Sequence, residues 1–153
     1  MNRLFWLFCI ATFVLSGCSI NHQLPIKQHY TIERAVEEGY VVSSFGRLAN
    51  IDKLEQFVEK ANLNENAEVK IAQFTNEGDP IFITLKVEQN KIIYTYDASL
   101  DTYSGPVKVE QHTCRSIQKR MKVKGASYQL KDCQTIGDVE VLYTPVSNPN
   151  ERP

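Results

Sequence analysis

The chain has 153 residues, with 17 lysines and arginines against 18 aspartates and glutamates, a formal net charge of −1. This near-neutral balance argues against nucleic-acid binding through a strongly basic face. The length suits one domain with its own core rather than several domains.

The N-terminus has the three-part layout of a secretory signal. Arg3 supplies a positive charge, residues 4–15 form an uncharged apolar stretch, and small residues then precede Cys18. The apolar region of a signal is about 7–15 residues long, whereas a membrane-spanning helix needs roughly 20. A permanent span is the alternative, but polar residues from Asn21 onward would make it cramped.

Leu15, Ser16, Gly17 and Cys18 together resemble the lipobox of bacterial lipoproteins. The resemblance implies that the Cys18 thiol accepts a diacylglyceryl group and that cleavage makes Cys18 the first residue of the mature chain. Two acyl chains hold a protein stably in a bilayer, whereas one binds reversibly. We therefore expect an extracytoplasmic protein, lipid-anchored in the cell membrane or the outer membrane. An ordinary signal or an uncleaved anchor, with a cysteine there by chance, is the alternative.

These features divide the chain into four parts. Residues 1–17 are the signal peptide, 18–30 the lipidated cysteine and a polar tether, 31–146 a single α+β domain, and 147–153 a flexible tail. Removal of the signal leaves 136 residues with 16 basic and 18 acidic side chains, a balance of −2.

The domain opens with two predicted helices separated by a strand. Thr31 is a favourable N-cap for a helix over 32–38, and residues 40–45 form a strand. Asn50 is expected to cap a second helix over 51–61. The apolar residues of that helix share one face at helical spacing and are expected to lie in the core: Ile51, Leu54, Phe57, Val58 and Ala61.

The middle of the chain shows the two-residue period of β-strands. A short strand over 68–74 leads through the turn-rich residues 76–80 into a hairpin. The strands of this hairpin cover 81–87 and 91–97, and residues 99–106 then form a loop.

A second hairpin and a final strand complete the prediction. Residues 107–123 are ambiguous at first and strand-like in their second part, and Gly125 is expected to turn the chain back into 126–130. Residues 139–143 carry the alternation of a last strand. This order of elements predicts an α+β fold, a mainly antiparallel sheet with two short N-terminal helices packed on one face. The short connections between strands disfavour a doubly wound parallel sheet.

The cysteines predict one disulfide. Cys9 is discarded with the leader and Cys18 is consumed by lipid, which leaves Cys114 and Cys133 as a pair in an exported protein, where disulfides persist. They flank the second hairpin and could tie its open end, with Cα atoms about 4.4–6.8 Å apart. Free thiols are the main alternative. A metal site with His112 is weaker, because no fourth ligand is evident.

A set of short motifs resembles one family of small bacterial lipoproteins. The motifs are Phe74–Phe82, Ile93–Asp97, Thr113-Cys114 with Ile117, Tyr128–Leu130 with Cys133, Leu142–Thr144, and the earlier stretch Gly46–Phe57. The family is known only as a domain of unknown function, DUF4362, and the similarity covers most of residues 40–144. It implies a secreted single domain, often lipid-anchored, with no established activity. No catalytic residues can be carried over.

Three surface features have a functional and a structural interpretation, and we favour the structural one in each case. Glu77, Asp79, Asp97 and Asp101 could form a Ca²⁺ site or belong to turns. The basic stretch over 115–131 could face anionic lipid headgroups or protect a strand edge. Four tyrosines could line a binding surface or pack the sheet: Tyr94, Tyr96, Tyr103 and Tyr128.

Motifs of the common enzyme classes are missing from the sequence. We therefore predict a non-enzymatic, lipid-anchored binding or interaction module of the cell envelope, with no cofactor or metal. Its expected partners are the membrane, through Cys18, and an unknown envelope protein or ligand, but not nucleic acid. The alternative is an envelope hydrolase or peptidoglycan-modifying enzyme with an unrecognised carboxylate site.

Overall fold

A computed structural model describes residues 29–106 and 108–145. The predicted signal peptide, Cys18, most of the tether and the tail lie outside the described residues. Within them, no helix has the length and apolar character needed to cross a membrane. The elements are α1 (Ile32–Glu37), β1 (Val41–Ser44), β2 (Arg47–Ala49), α2 (Ile51–Asn62), β3 (Glu68–Phe74), β4 (Pro80–Glu88), β5 (Lys91–Asp97), β6 (Val109–Cys114), β7 (Ser116–Lys122), β8 (Gly125–Cys133) and β9 (Gly137–Pro145).

Six strands form the first sheet, in the order β2-β1-β3-β4-β5-β6. Every neighbouring pair is antiparallel except β1 and β3, which are parallel. A parallel pair needs a long crossover connection, and here the crossover contains β2 and α2. The short strand β2 was not predicted.

The last three strands form a separate antiparallel sheet, in the order β7-β8-β9. Only Arg115 separates β6 from β7, so the chain passes almost without interruption from one sheet into the other. The second sheet and α2 share one hydrophobic core with the first sheet. The largest fully buried side chains of this core include Leu54, Phe57, Ile71, Leu85, Ile117, Tyr128 and Leu130.

The predicted fold class is wrong, because the domain is mainly β. Strands account for 53% of the described residues and helices for 16%. The helices do not share a face of the sheet either. Ala35 of α1 packs with Val42, whereas Leu54 of α2 packs with Val41. Since neighbouring strand residues point to opposite faces, the two helices cover opposite sides of β1.

Asn50 precedes α2 as predicted, but it does not cap the helix by its side chain. Its backbone is left-handed, with φ of 55°, and its side chain accepts no cap hydrogen bond. Instead, Nδ2 donates to the carbonyl oxygen of Tyr40 at 2.8 Å. Asn50 therefore ties the start of α2 to the segment that enters β1.

Cys114 and Cys133 are joined by a disulfide. Because Cys114 ends β6 and Cys133 ends β8, the bond links the two sheets as well as the open end of the β7–β8 hairpin. The Cα atoms are 3.8 Å apart, closer than the range we expected.

Candidate functional site

Three connections of the first sheet lie at the same end of it. Ser43 is paired with Gln73, Phe74 with Pro80, and Asp97 with both Phe82 and Val109. The β1–β2 turn (residues 45–46), the β3–β4 turn (75–79) and the β5–β6 loop (described at 98–106 and 108) therefore lie at one end of the sheet, with the β3–β4 turn between the other two. We call these connections, together with Val109, the loop end. Its exposed large apolar side chains are Phe45, Leu100, Tyr103 and Val109.

Phe45 is unfavourable for the folded domain in two respects. Its side chain is 69% exposed, so it contributes little to the core. Its φ of 46°, followed by 78° at Gly46, gives the two positive φ angles of a type I′ hairpin turn. Asn, Asp or Gly is preferred at the first of these positions, and a bulky residue there is an outlier. Neither local conformation nor packing explains a phenylalanine at this turn.

The long β5–β6 loop is held in place by Asp79 of the β3–β4 turn and by Asp101 of the loop itself. Asp79 is buried, and its Oδ2 accepts the backbone N–H of Thr102 at 2.8 Å. Asp101 Oδ1 accepts the N–H of Tyr103 at 2.9 Å. The phenol ring of Tyr103 is 78% exposed on this fixed backbone. An exposed aromatic on an ordered loop is suited to contact a partner, because little conformational freedom is lost on binding.

The acidic residues considered as a Ca²⁺ site do lie at the loop end, but as parts of turns. Asp79 and Asp101 accept the hydrogen bonds described above. Asp97 Oδ1 accepts the N–H of Ser99 at 2.8 Å. Across the described residues, no group of three acidic, histidine or cysteine side chains is placed to hold a metal ion. Turn chemistry therefore accounts for Asp97 and Asp101, whereas Asp79 links the β3–β4 turn to the β5–β6 loop.

His112 is fixed between two polar side chains beside the disulfide. Nε2 lies 3.2 Å from Glu110 Oε2, Nδ1 lies 3.1 Å from Thr135 Oγ1, and the ring stacks on that of Tyr94. The neighbouring Cys114 is in a disulfide and cannot act as a thiol nucleophile or metal ligand. This arrangement joins β6 to the β8–β9 turn.

The other candidate side chains are mostly structural. Tyr94 and Tyr128 are buried, and burial raises the pKa of Tyr94 to about 12. Lys119 Nζ and Tyr128 Oη donate to Glu55 Oε1 at 2.5 and 2.9 Å, which links the second sheet to α2. The hydrogen bond from Lys119 lowers the pKa of Glu55, and that from Tyr128 adds to the effect.

An open cleft of about 420 Å³ lies between α2 and the start of β3. Its charged lining residues are Glu38, Lys53, Lys60, Glu68 and Lys70. Lys53 donates to the carbonyl oxygen of Gly39 at 2.8 Å and Lys70 lies 3.7 Å from Glu68. Charges of both signs line the cleft, which gives it no clear preference for one ligand.

The sequence pattern did not single out Phe45 as a candidate site residue. A usable signal was present, because Phe45-Gly46 stands between two strand-like runs at a position where a hairpin turn favours Asn-Gly. We assigned Phe45 to the end of a strand, and with β2 overlooked the turn could not be recognised.

The fold and the loop end define the class of protein. It is a mainly β domain whose two sheets are joined by a disulfide, with exposed apolar side chains on connections at one end of the first sheet. The model of the family described as a domain of unknown function, DUF4362, matches residues 38–129, and the chain belongs to this family. The resemblance noted in the sequence is thereby confirmed, and the family assigns no activity. No curated protein and no solved structure matched the chain.

Proposed function

We propose that the protein is a lipid-anchored binding module of the cell envelope, which contacts an envelope protein through the loop end. The anchor would be the acylated Cys18, and the polar residues that follow it would separate the domain from the bilayer. The loop end would supply the contact surface through Phe45, Tyr103 and the apolar residues beside them.

The observation that carries this proposal is Phe45. A bulky residue in left-handed backbone costs free energy, and such strained positions cluster at functional sites, while groups of exposed apolar side chains mark interaction surfaces. Phe45 has both, at the same end of the sheet as the loop that presents Tyr103 in a fixed conformation. Large aromatic residues are also enriched among the side chains that dominate protein interfaces.

The carboxylates favour a binding module over an envelope hydrolase. A general acid near neutral pH requires a carboxyl with a raised pKa. Hydrogen bonds from neighbouring side chains instead lower the pKa of four described carboxyls: Glu38, Glu55, Asp138 and Glu140.

The anchor is tested by mass spectrometry of the N-terminus of protein purified from its own membrane. We expect a chain that begins at acylated Cys18, and a Cys18→Ala variant that retains its leader or is misrouted. A processed, soluble protein with an unmodified Cys18 would rule out the anchor.

The contact surface is tested by photo-cross-linking in intact cells. A photoreactive phenylalanine replaces Tyr103 in one variant and Leu63 in the other. Leu63 is a matched control, because it is 68% exposed and apolar but follows α2, before the start of β3, whereas the loop end adjoins the end of β3. We expect a defined adduct from position 103 only. Equal adducts from both positions, or none from position 103, would contradict the proposal.

A further inference from the structure

The second half of β7 and the β7–β8 turn face solvent. Ile117 and Met121 lie on the same face of β7, since they are four residues apart. Ile117 is buried, yet Met121 is 74% exposed and the turn residue Val123 is 100% exposed. Val123 also occupies a two-residue turn, where small or polar residues are usual. The hairpin thus presents two apolar side chains that the fold does not use.

The same end of the hairpin is strongly basic. We call residues 119–124 the hairpin tip; they include four lysines and arginines and no acid. Lys119 pairs with Glu55 and Lys122 pairs with Glu140. Within the part of the chain that the structure describes, Arg120 and Lys124 form no ion pair. Arg120 is close enough to Asp138 to help lower the pKa of that carboxyl, yet both cations are exposed beside two exposed apolar side chains.

We propose that the hairpin tip docks on the anionic phospholipids of the bilayer. Lysine and arginine near an anionic membrane are attracted to its headgroups, while small apolar side chains enter the boundary with the acyl chains. The contact is too small to recruit the protein by itself. It would instead orient a domain that is already anchored, and to that extent it rests on the proposed anchor at Cys18.

The test uses tryptophan emission from the mature chain reconstituted through its anchor into vesicles. The sole tryptophan of the sequence is Trp6, in the leader. The mature chain that begins at Cys18 therefore carries no tryptophan of its own, and the reporter is Val123→Trp. The matched control is Leu63→Trp, an exposed apolar position away from the hairpin tip. Vesicles contain phosphatidylcholine alone or a mixture rich in phosphatidylglycerol.

We expect the emission of the Val123→Trp chain to shift to shorter wavelength only in vesicles rich in phosphatidylglycerol. The Leu63→Trp chain should emit identically in both. Adding Arg120→Gln and Lys124→Gln should weaken docking about 30-fold, since each basic residue near an anionic surface contributes about fivefold. All four positions are on the surface, so unchanged melting temperatures will verify that the variants are folded.

An unshifted Val123→Trp emission in anionic vesicles would overturn the inference. So would an emission shift that is equally large in neutral vesicles or at position 63. A shift that survives the double substitution would also overturn it. Failure of the anchor is distinguished by mass spectrometry of the same preparation. If acyl chains are absent, the Cys18 thiol is coupled to a maleimide lipid of the vesicle in their place, and the emission still reports whether the tethered tip meets anionic lipid.

Discussion

Glu55 shows how one surface residue of α2 holds the second sheet in place. It accepts from Lys119 and from the hydroxyl of the buried Tyr128, two side chains on neighbouring strands. Because removal of the acceptor would leave the Tyr128 hydroxyl without this partner, the contact stabilises the junction beyond the attraction between two charges.

The lowered pKa of Glu55 predicts a pH-dependent contribution to stability. A carboxyl with a depressed pKa stabilises the fold above its unfolded pKa of about 4.3, and the effect is lost as the pH falls through the folded pKa. Glu55→Gln should therefore lower the free energy of unfolding at pH 7 by about 0.5–1 kcal/mol, a small value because solvent screens both partners.

Urea unfolding at pH 7 and at about pH 3, below the ordinary glutamate pKa, tests this prediction. The difference between wild type and Glu55→Gln should shrink at the lower pH. Glu59→Gln, an exposed substitution on the same helix, is the control. A Glu55→Gln deficit that is the same at both pH values would show that its charge is irrelevant.

At the scale of elements, Gly125 has a different role from the one the sequence indicated. The turn consists of Val123 and Lys124, and Gly125 is the first residue of β8. A Cβ at this position would lie 2.2 Å from the carbonyl oxygen of Thr144 on β9. Glycine is needed there because the strands approach closely.

Gly125→Ala should destabilise the second sheet by about 1–3 kcal/mol, since the clash is with backbone that cannot move aside alone. Gly105→Ala is the control, because its Cβ would meet open space. Thermal unfolding of both variants measures the difference. If Gly125→Ala melts like the wild type, β8 and β9 are not as close as described.

Most strands could be predicted from the sequence, but their arrangement could not. The hairpin predicted over 81–87 and 91–97 corresponds closely to β4 and β5, because its alternation is regular. The stripe on α2 is also confirmed at Leu54, Phe57 and Val58, which are buried. The parallel pairing of β1 with β3 depends on contacts distant in sequence, which a local period does not encode.

At the scale of the whole molecule, the disulfide joins two sheets that the sequence did not separate. The residues before Arg115 have no clear period and no turn signal separates them from the strand-like residues that follow, so nothing in the pattern marks the change of sheet. The pairing of Cys114 with Cys133 could still be predicted, because it followed from counting cysteines. The loop end could be predicted only in part, since the sequence indicated its acidic residues but not Phe45.

Reduction of the disulfide should lower the free energy of unfolding by about 3 kcal/mol, the value for a loop of roughly this length. The bond closes a loop of sequence separation 19 between the sheets. Urea unfolding of the oxidised protein, the reduced protein and the Cys114→Ala, Cys133→Ala variant measures the loss. Equal stability of all three would mean that packing alone holds the sheets together.

The claim that Phe45 is retained for binding at a cost to folding is tested most directly by Phe45→Asn. Asparagine suits the left-handed backbone of the β1–β2 turn, so the free energy of unfolding should rise by about 0.5–1 kcal/mol. The same substitution should reduce the adduct formed by the photoreactive residue at position 103 in cells, while Leu63→Asn should leave that adduct unchanged. A more stable protein that binds less is the predicted result. A less stable protein, or a Phe45→Asn variant whose adduct is undiminished, would contradict the account.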